Sequence, residues 1–266
     1  MLSQKSIKFI LIFFTLSLYT FIQLSANIVV LNGLTHENSC LPGEKYRESI
    51  QIQNAGTEPR TVKVYVRDYW YSYSGESRHD EPGTMNRSNA TWIEYSPKLV
   101  TLAPKEKTLI DFEVSAPAVD SLNGTYWSVI MVEGVKQQDT TASAGVKINT
   151  AIRYAVQIIT NIGETGTRDL KFVGLELGEQ DEESLLNVAV ENAGERLLKP
   201  ELSVELFNEA GESVGVFKAE RRKALPGTSI LLSLVLKGVE AGSYAAVLVA
   251  NCDEDHIFGT NITLEI

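Results

Sequence analysis

Apolar and polar residues alternate one by one in short runs along this chain, and each run is closed by Gly, Pro or Asn. A period of two sends successive side chains to opposite faces of a strand, so each run buries one face and wets the other. In the first half the runs are 49–53, 61–66, 108–114 and 126–132; in the second they are 185–190, 202–206, 229–236, 244–249 and 261–265. No long window carries the 3.6-residue period of a helix, so the helical crossovers of a parallel sheet are missing. The expectation is an all-β chain built from antiparallel sandwiches.

An internal repeat divides the chain in two. Gln53-Asn54-Ala55-Gly56 closes one alternation and Glu191-Asn192-Ala193-Gly194 closes another, each followed by a proline and a second strand. Leu102-Ala103-Pro104 precedes the strand at Thr108 as Ala224-Leu225-Pro226 precedes the one at Ser229. Gly124-Thr125-Tyr126 opens a strand as Gly242-Ser243-Tyr244 does, and a tyrosine there fits a corner in which its hydroxyl ties a loop to the sheet. The polar stretch 74–90 accounts for the greater spacing in the first half and is expected to be a loop insertion. The predicted architecture is two tandem immunoglobulin-like sandwiches, at 27–162 and 163–266.

Residues 1–26 form an expected export signal. Lys5 and Lys8 precede an apolar run from Phe9 to Leu24, and Ser25-Ala26 offers small residues for cleavage before Asn27. An uncleaved anchor competes, although Thr15, Ser17, Tyr19, Thr20 and Gln23 interrupt the run. The expected place of the protein is therefore the periplasm or the cell surface, with membrane attachment only through an uncleaved segment. Charge adds an exclusion. Removing 1–26 takes two of the 24 basic residues and none of the 34 acids, and so acidic a chain lacks the footprint of a nucleic-acid binder. Cys40 and Cys252 are the two cysteines; they form either a disulfide between the two halves or a pair of buried thiols.

One segment is unusually long. Val146, Ile148, Ile152, Tyr154, Val156 and Ile158 fall on one face of an expected strand from 146 to 158, with Lys147, Asn149, Arg153 and Gln157 on the other. It leads into a junction at 163–166, and a long final strand is an edge open to another chain. Two exported sandwiches, the Leu102-Ala103-Pro104 turn and this long strand with a basic residue resemble the periplasmic pilus chaperones of the PapD-like family. The resemblance implies a chaperone whose long edge strand completes the fold of a pilus subunit, with two basic residues holding the subunit's terminal carboxylate. Arg153 stands where one of them is expected; the first strand, Ile28 to Gly33, holds no arginine for the other. Ile148, Ile152, Arg153, Tyr154 and Val156 are the candidate partner contacts, set against a plain alternative in which they face their own core or solvent.

A second candidate surface lies on the strand from Val62 to Tyr73. With Val62, Val64 and Val66 inward, Tyr65, Arg67, Tyr69, Tyr71 and Tyr73 line the outer face and Trp70 joins the valines. Tyrosines supply apolar area and a hydroxyl together, so this ladder suits a sugar ring or a protein partner unless the 74–90 segment covers it. Catalytic and metal patterns are absent: His36, His79 and His256 are scattered, and no HExxH, paired-Cys or phosphate-loop motif occurs. The acidic runs at 181–183 and 253–255 lack the ligand spacing of a calcium loop and read as solvated turns. No catalytic residue, metal or cofactor is expected. The leading reading is a non-enzymatic protein that binds another polypeptide through a sheet edge during pilus or surface assembly. The alternatives are an adhesion or glycan-binding protein using the aromatic strand, and a hydrolase on a sandwich scaffold.

Overall fold

A computed structural model of the chain describes residues 28–135, 152–181 and 183–266. The expected signal segment, and residues 146–151 of the expected long strand with Ile148 among them, lie outside the described residues. The first sandwich comprises β1 (Ile28–Val30), β2 (Thr35–Cys40), β3 (Lys45–Asn54), β4 (Arg60–Tyr71), β5 (Ser77–Asp80), β6 (Ile93–Ser96), β7 (Leu99–Leu102), β8 (Lys107–Ser115), β9 (Gly124–Gly134) and β10 (Arg153–Ile162). The second comprises β11 (Leu170–Gln180), β12 (Glu183–Asn192), β13 (Glu201–Phe207), β14 (Ser213–Lys218), β15 (Ser229–Leu236), β16 (Ser243–Asn251) and β17 (Ile257–Glu265). Each of the nine short runs expected from alternation lies within one of these strands, and of the longer run at 146–158 the part from Arg153 falls on β10. Two strands outside those runs lack the signal: β2 reads Thr-His-Glu-Asn-Ser-Cys, and β11 is broken by two glycines.

In the first sandwich one sheet runs β1-β3-β8-β6 and faces a second of order β2-β10-β9-β4-β5, with β7 also on β4. Ile50, Ile52 and Ile110 from one sheet meet Val62, Ile130, Val156 and Ile158 from the other, all fully buried. The second sandwich stacks β11-β12-β15 on β14-β13-β16-β17 over Leu186, Leu202, Leu206, Leu234 and Leu248. Each such side chain contributes about 1.5–3 kcal/mol through its removal from water.

The strand pairing departs from the antiparallel expectation at one place. β10 pairs antiparallel with β9 but parallel with β2, in the register Gln157↔Thr35 to Ile162↔Cys40. The cause is a switch of sheets. The chain leaves β1 on the first sheet, turns through Asn32-Gly33 and enters the second sheet as β2. Gly33 takes φ +93°, open to glycine, while the Asn32 side chain donates to Ser49 O (2.7 Å) and accepts from Gln51 N (2.8 Å).

The 74–90 stretch is more than a loop, which corrects the expectation. It contains β5, paired on β4 from Asp68↔Asp80 to Tyr71↔Ser77. The fully buried Asp68 carboxylate then gathers the segment after β5, accepting from Gly83 N, Thr84 Oγ1, Met85 N (2.7 Å) and Ser88 Oγ (2.5 Å). Four donors satisfy a charge that would otherwise be costly to bury.

The cysteines are both free and buried, so the disulfide is corrected too. Cys40 packs beside Ala116 and Ile162 in the first sandwich, whereas Cys252 belongs to the core of the second. Burial and the Asp253 carboxylate push the Cys252 thiol up to about 11.

Candidate functional site: a strand edge beside an interdomain cleft

β10 has two edges with different fates. Along its whole length it pairs with β9, and from Gln157 to Ile162 its other edge is taken by β2. The edge reading of the long strand is therefore corrected for 157–162; among the described residues no strand pairs with that side of 153–156. Gln157 N donates to Leu34 O (2.9 Å), which shows that the backbone of Gln157 points toward β2. Because successive peptide units in a strand alternate, the N–H and C=O of Ala155 and Arg153 point the same way, past the end of β2. Those of Tyr154 and Val156 face β9, opposite Val132 and Ile130.

The side chains alternate across the other axis. Val156 is fully buried in its own core and Tyr154 packs partly against it, so Val156 is withdrawn as a partner contact. Ile152 is 41 % exposed. Arg153 is exposed but ion-paired, its Nε 2.9 Å from Glu133 Oε1 on the facing residue of β9. Tyr65 OH donates to the other Glu133 oxygen at 2.8 Å. Burial raises the Glu133 carboxyl, but these two bonds outweigh it and hold it below its usual range. Arg153 also starts the strand whose far end, Ile162, meets the domain junction, about 30 Å away at the usual strand rise.

Where β4, β9 and β10 approach the second sandwich, a cleft of about 500 Å³ opens between Tyr69, Tyr71 and Gln157 on one side and Arg222, Lys223 and Ile230 on the other. The aromatic ladder divides here. Tyr65 lies away from the cleft with Lys63 and Arg67 over its ring at 5.1 and 5.2 Å. Tyr69 stacks on His79 at 5.1 Å and leans on Tyr71 at 5.4 Å, and burial raises both phenols. Tyr71 is claimed by the second sandwich: its hydroxyl donates to Lys223 O (3.1 Å) and its ring packs against that core. Trp70, on the valine side, donates from Nε1 to Gly227 O (2.8 Å). Tyr73 lies beyond the end of β4 and is half exposed, with its N–H on Ser229 Oγ. The outward display expected for Tyr71 is thus corrected, because the neighbouring domain covers it.

The two sandwiches meet through specific contacts beside the cleft. Leu225, in the Ala224-Leu225-Pro226 turn, is buried against Trp127 and Ile159 on the outer face of the β10 sheet. Glu37 on β2 reaches both Lys199 (2.9 Å) and Lys223 (3.2 Å). Burial raises its carboxyl, but the two ammonium groups outweigh that and hold it below the usual carboxylate value. Thr125 N donates to Glu195 O (2.8 Å), and Leu197 N to Thr125 Oγ1 (2.9 Å). Gly124 is required at this crossing: it adopts φ +69°, and a Cβ there would lie 2.2 Å from Glu195 O. Arg196, almost fully buried, donates to Gly163 O and Thr165 O of the connecting segment.

Sequence reasoning missed Glu37, Arg196, Lys199 and Lys223, which stand in no common motif and meet only in the folded chain. Their one usable signal was the Ala224-Leu225-Pro226 turn next to Lys223. Among the described residues no group of three His, Cys, Asp or Glu side chains is placed to hold a metal ion. The acidic turn after Cys252 is organised by Asp253, which accepts from Asp255 N and His256 N. No described helix is long and apolar enough to cross a membrane.

No family model matches the chain. No curated protein matches it either. Solved structures similar in layout include a chain from a chaperone–tip adhesin complex of CFA/I fimbriae biogenesis, at 12 % identity and TM-score 0.49, covering 89 % of this chain and 98 % of that one. A chain of the CsuC–CsuE chaperone–tip adhesion subunit complex of Acinetobacter baumannii is 13 % identical, with TM-score 0.43 and coverage of 90 % and 98 %. The Pseudomonas aeruginosa CupB2 chaperone is 11 % identical, with TM-score 0.40 and coverage of 89 % and 100 %.

Proposed function

We propose that this protein is an exported assembly chaperone or surface-assembly component that binds a polypeptide by adding the partner's strand to the open edge of β10. The observation that carries the reading is the direction of the Arg153 and Ala155 peptide groups, which leave the β9 ladder untouched and point past the end of β2. Main-chain hydrogen bonds at such an edge supply affinity, and alternating side chains supply selectivity. The half-exposed Ile152 and the Arg153–Glu133 pair flank that edge and meet the partner's side chains. Arg153 serves there as a rim charge, because Glu133 already occupies it. The apolar 1–26 segment supports an activity outside the cytoplasm.

Proline discriminates between the two edges. Ala155→Pro removes a donor from the open edge only, a position where a sheet tolerates proline. Val156→Pro removes a donor from the β9 ladder and disrupts the sandwich. In pull-downs from the native envelope, Ala155→Pro is expected to lose its polypeptide partner while melting like the parent protein. Retention of that partner by a folded Ala155→Pro variant overturns the reading.

A second reading is favoured by one observation, the half-buried Tyr69 ring facing a cleft with Arg222 on its far wall. That geometry suits an acidic or neutral sugar. A glycan array on which the Tyr69→Ala variant and the parent bind alike removes it.

A further inference from the structure

The second sandwich has four border strands, and three of them are blunted. β11 and β14 each pair through a register shift and carry a lysine, Lys171 and Lys218. β15 is approached by β14, and its Leu231 O accepts from Arg222 Nη1 (2.7 Å). β17 has none of these devices. It runs nine residues, Ile-Phe-Gly-Thr-Asn-Ile-Thr-Leu-Glu, without proline, lysine, arginine or register shift, and its one charge is at its last residue.

The end of the ladder fixes which backbone groups face the open side. Ile266 and Gly242 exchange both N–H···O bonds at 2.9 Å, so the even-numbered residues of β17 bond to β16. The N–H and C=O of Ile257, Gly259, Asn261, Thr263 and Glu265 point the other way, and none has a backbone partner among the described residues. The side chains sort by the same parity: those five residues are exposed, whereas Phe258, Ile262 and Leu264 face the core. Three strands lie over four in this sandwich, and Phe258 and Ile262 at the border stay only partly buried.

A strand that fits this edge needs free bonding groups on alternate residues and an apolar inner face. β17 of a second copy meets both needs. With two copies antiparallel about Asn261, Asn261 meets Asn261, Gly259 meets Thr263 and Ile257 meets Glu265 as hydrogen-bonded pairs on the outer face. Phe258 meets Leu264 and Thr260 meets Ile262 on the core face, so bonds and faces agree at every position and no like charges oppose. A slip of one residue turns one copy's core face to solvent, and a slip of two takes two residues of the strand out of the pairing.

We propose that β17 is a self-association edge at which a second copy of this chain adds antiparallel about Asn261, joining two four-stranded sheets into one of eight strands. Both copies use the same edge, so the interface is isologous and closes at a dimer. It lies in the other sandwich from β10, and its failure would not touch the reading of β10.

Sedimentation velocity of the purified protein over a wide concentration range is expected to show a reversible monomer–dimer equilibrium. Asn261→Pro removes the two donors at the axis without touching the β16 ladder and is expected to raise the dimer Kd about tenfold or more. Asn261→Lys sets like charges against each other at the axis and is expected to raise it severalfold. A thermal melt equal to the parent's shows that each variant is folded. Under oxidation Asn261→Cys is expected to give a covalent dimer, since a hydrogen-bonded pair holds its Cα atoms about 5.5 Å apart, and Thr263→Cys is expected to stay uncrosslinked because it lies opposite Gly259. Cys40 and Cys252 are buried and do not compete. A monomer at every soluble concentration, a dimer indifferent to both Asn261 substitutions, a dimer lost with Ala155→Pro instead, or crosslinking at 263 in place of 261 overturns the proposal.

Discussion

Asn54 and Asn192 occupy the same place in the two sandwiches. Asn54 accepts from Gly56 N and donates to Glu58 O, Leu102 O and Ala103 O, while Asn192 accepts from Gly194 N and donates to Arg196 O and Ala224 O. Each asparagine is fully buried and ties the end of one strand to the turn before another. Even the backbone repeats: Lys105 N donates to Asn54 O and Gly227 N to Asn192 O, both 2.8 Å. The residues completing these turns differ. The position after Pro104 is Lys105 at φ +66°, whereas the position after Pro226 is Gly227 at φ +69°. A left-handed backbone costs an L residue about 1–2 kcal/mol, so the first sandwich carries strain at a place where the second has none. The Lys105 ammonium on Ala55 O offsets part of it.

The sandwiches diverge further outside these turns. The first carries the Asp68-anchored segment, the sheet switch at Asn32-Gly33 and the shared edge of β10; the second has none of these. Even the paired tyrosines part ways. Tyr244 donates to Glu240 O and makes the expected corner, while Tyr126 lies against Trp92 at 4.7 Å. The buried asparagine bonds thus recur in both sandwiches, whereas the contacts of the paired tyrosines do not.

The largest expected effect breaks the asymmetry. Asp68→Ala orphans four donors and should cost about 3–4 kcal/mol, read as a lowered urea midpoint for the first sandwich alone. Next come the matched asparagines. Asn54→Ala and Asn192→Ala should each cost about 2–3 kcal/mol, and a twofold disparity between them in denaturant melts would break the equivalence of the two turns. The completing residues come third, with opposite signs. Gly227→Ala should destabilise by about 1 kcal/mol or more, and Lys105→Gly should be neutral or stabilising, in the same melts. Smallest is the acid response of the junction. Because the folded Glu37 carboxyl lies below its ordinary value of 4.5, its stabilisation is complete above that pH and is lost as pH falls beneath it. Glu37→Gln should remove this part of the pH dependence at a cost of about 1 kcal/mol or less near neutrality, since the group is only partly buried and water screens its two ion pairs.

How much was legible varies by element. β15 was delimited at Ser229–Leu236 from alternation alone, because one buried face writes the period of two into the chain. β2 was invisible, since its polar residues are held by the β10 ladder, by Glu48 of β3 and by the charges of the next domain rather than by an alternating apolar face. The site was half legible. Arg153 falls at the start of β10 and Ile152 just before it, but how much of the strand lacks a partner among the described residues depended on where β2 stops. Tyr71 was read as outward, and the second sandwich turned that outward position into an interior one.

Local physics thus determined the all-β class, the two-part division and the Asn-Ala-Gly turns, because a strand's period and the bonds from Gly56 N to Asn54 and from Gly194 N to Asn192 are satisfied within a few residues. Tertiary structure alone decided how much of β10 is covered by β2, that the cysteines stay apart, and that Glu37 meets Lys199 and Lys223. Those outcomes depend on segments distant in sequence, whose meeting is set by how whole sheets pack.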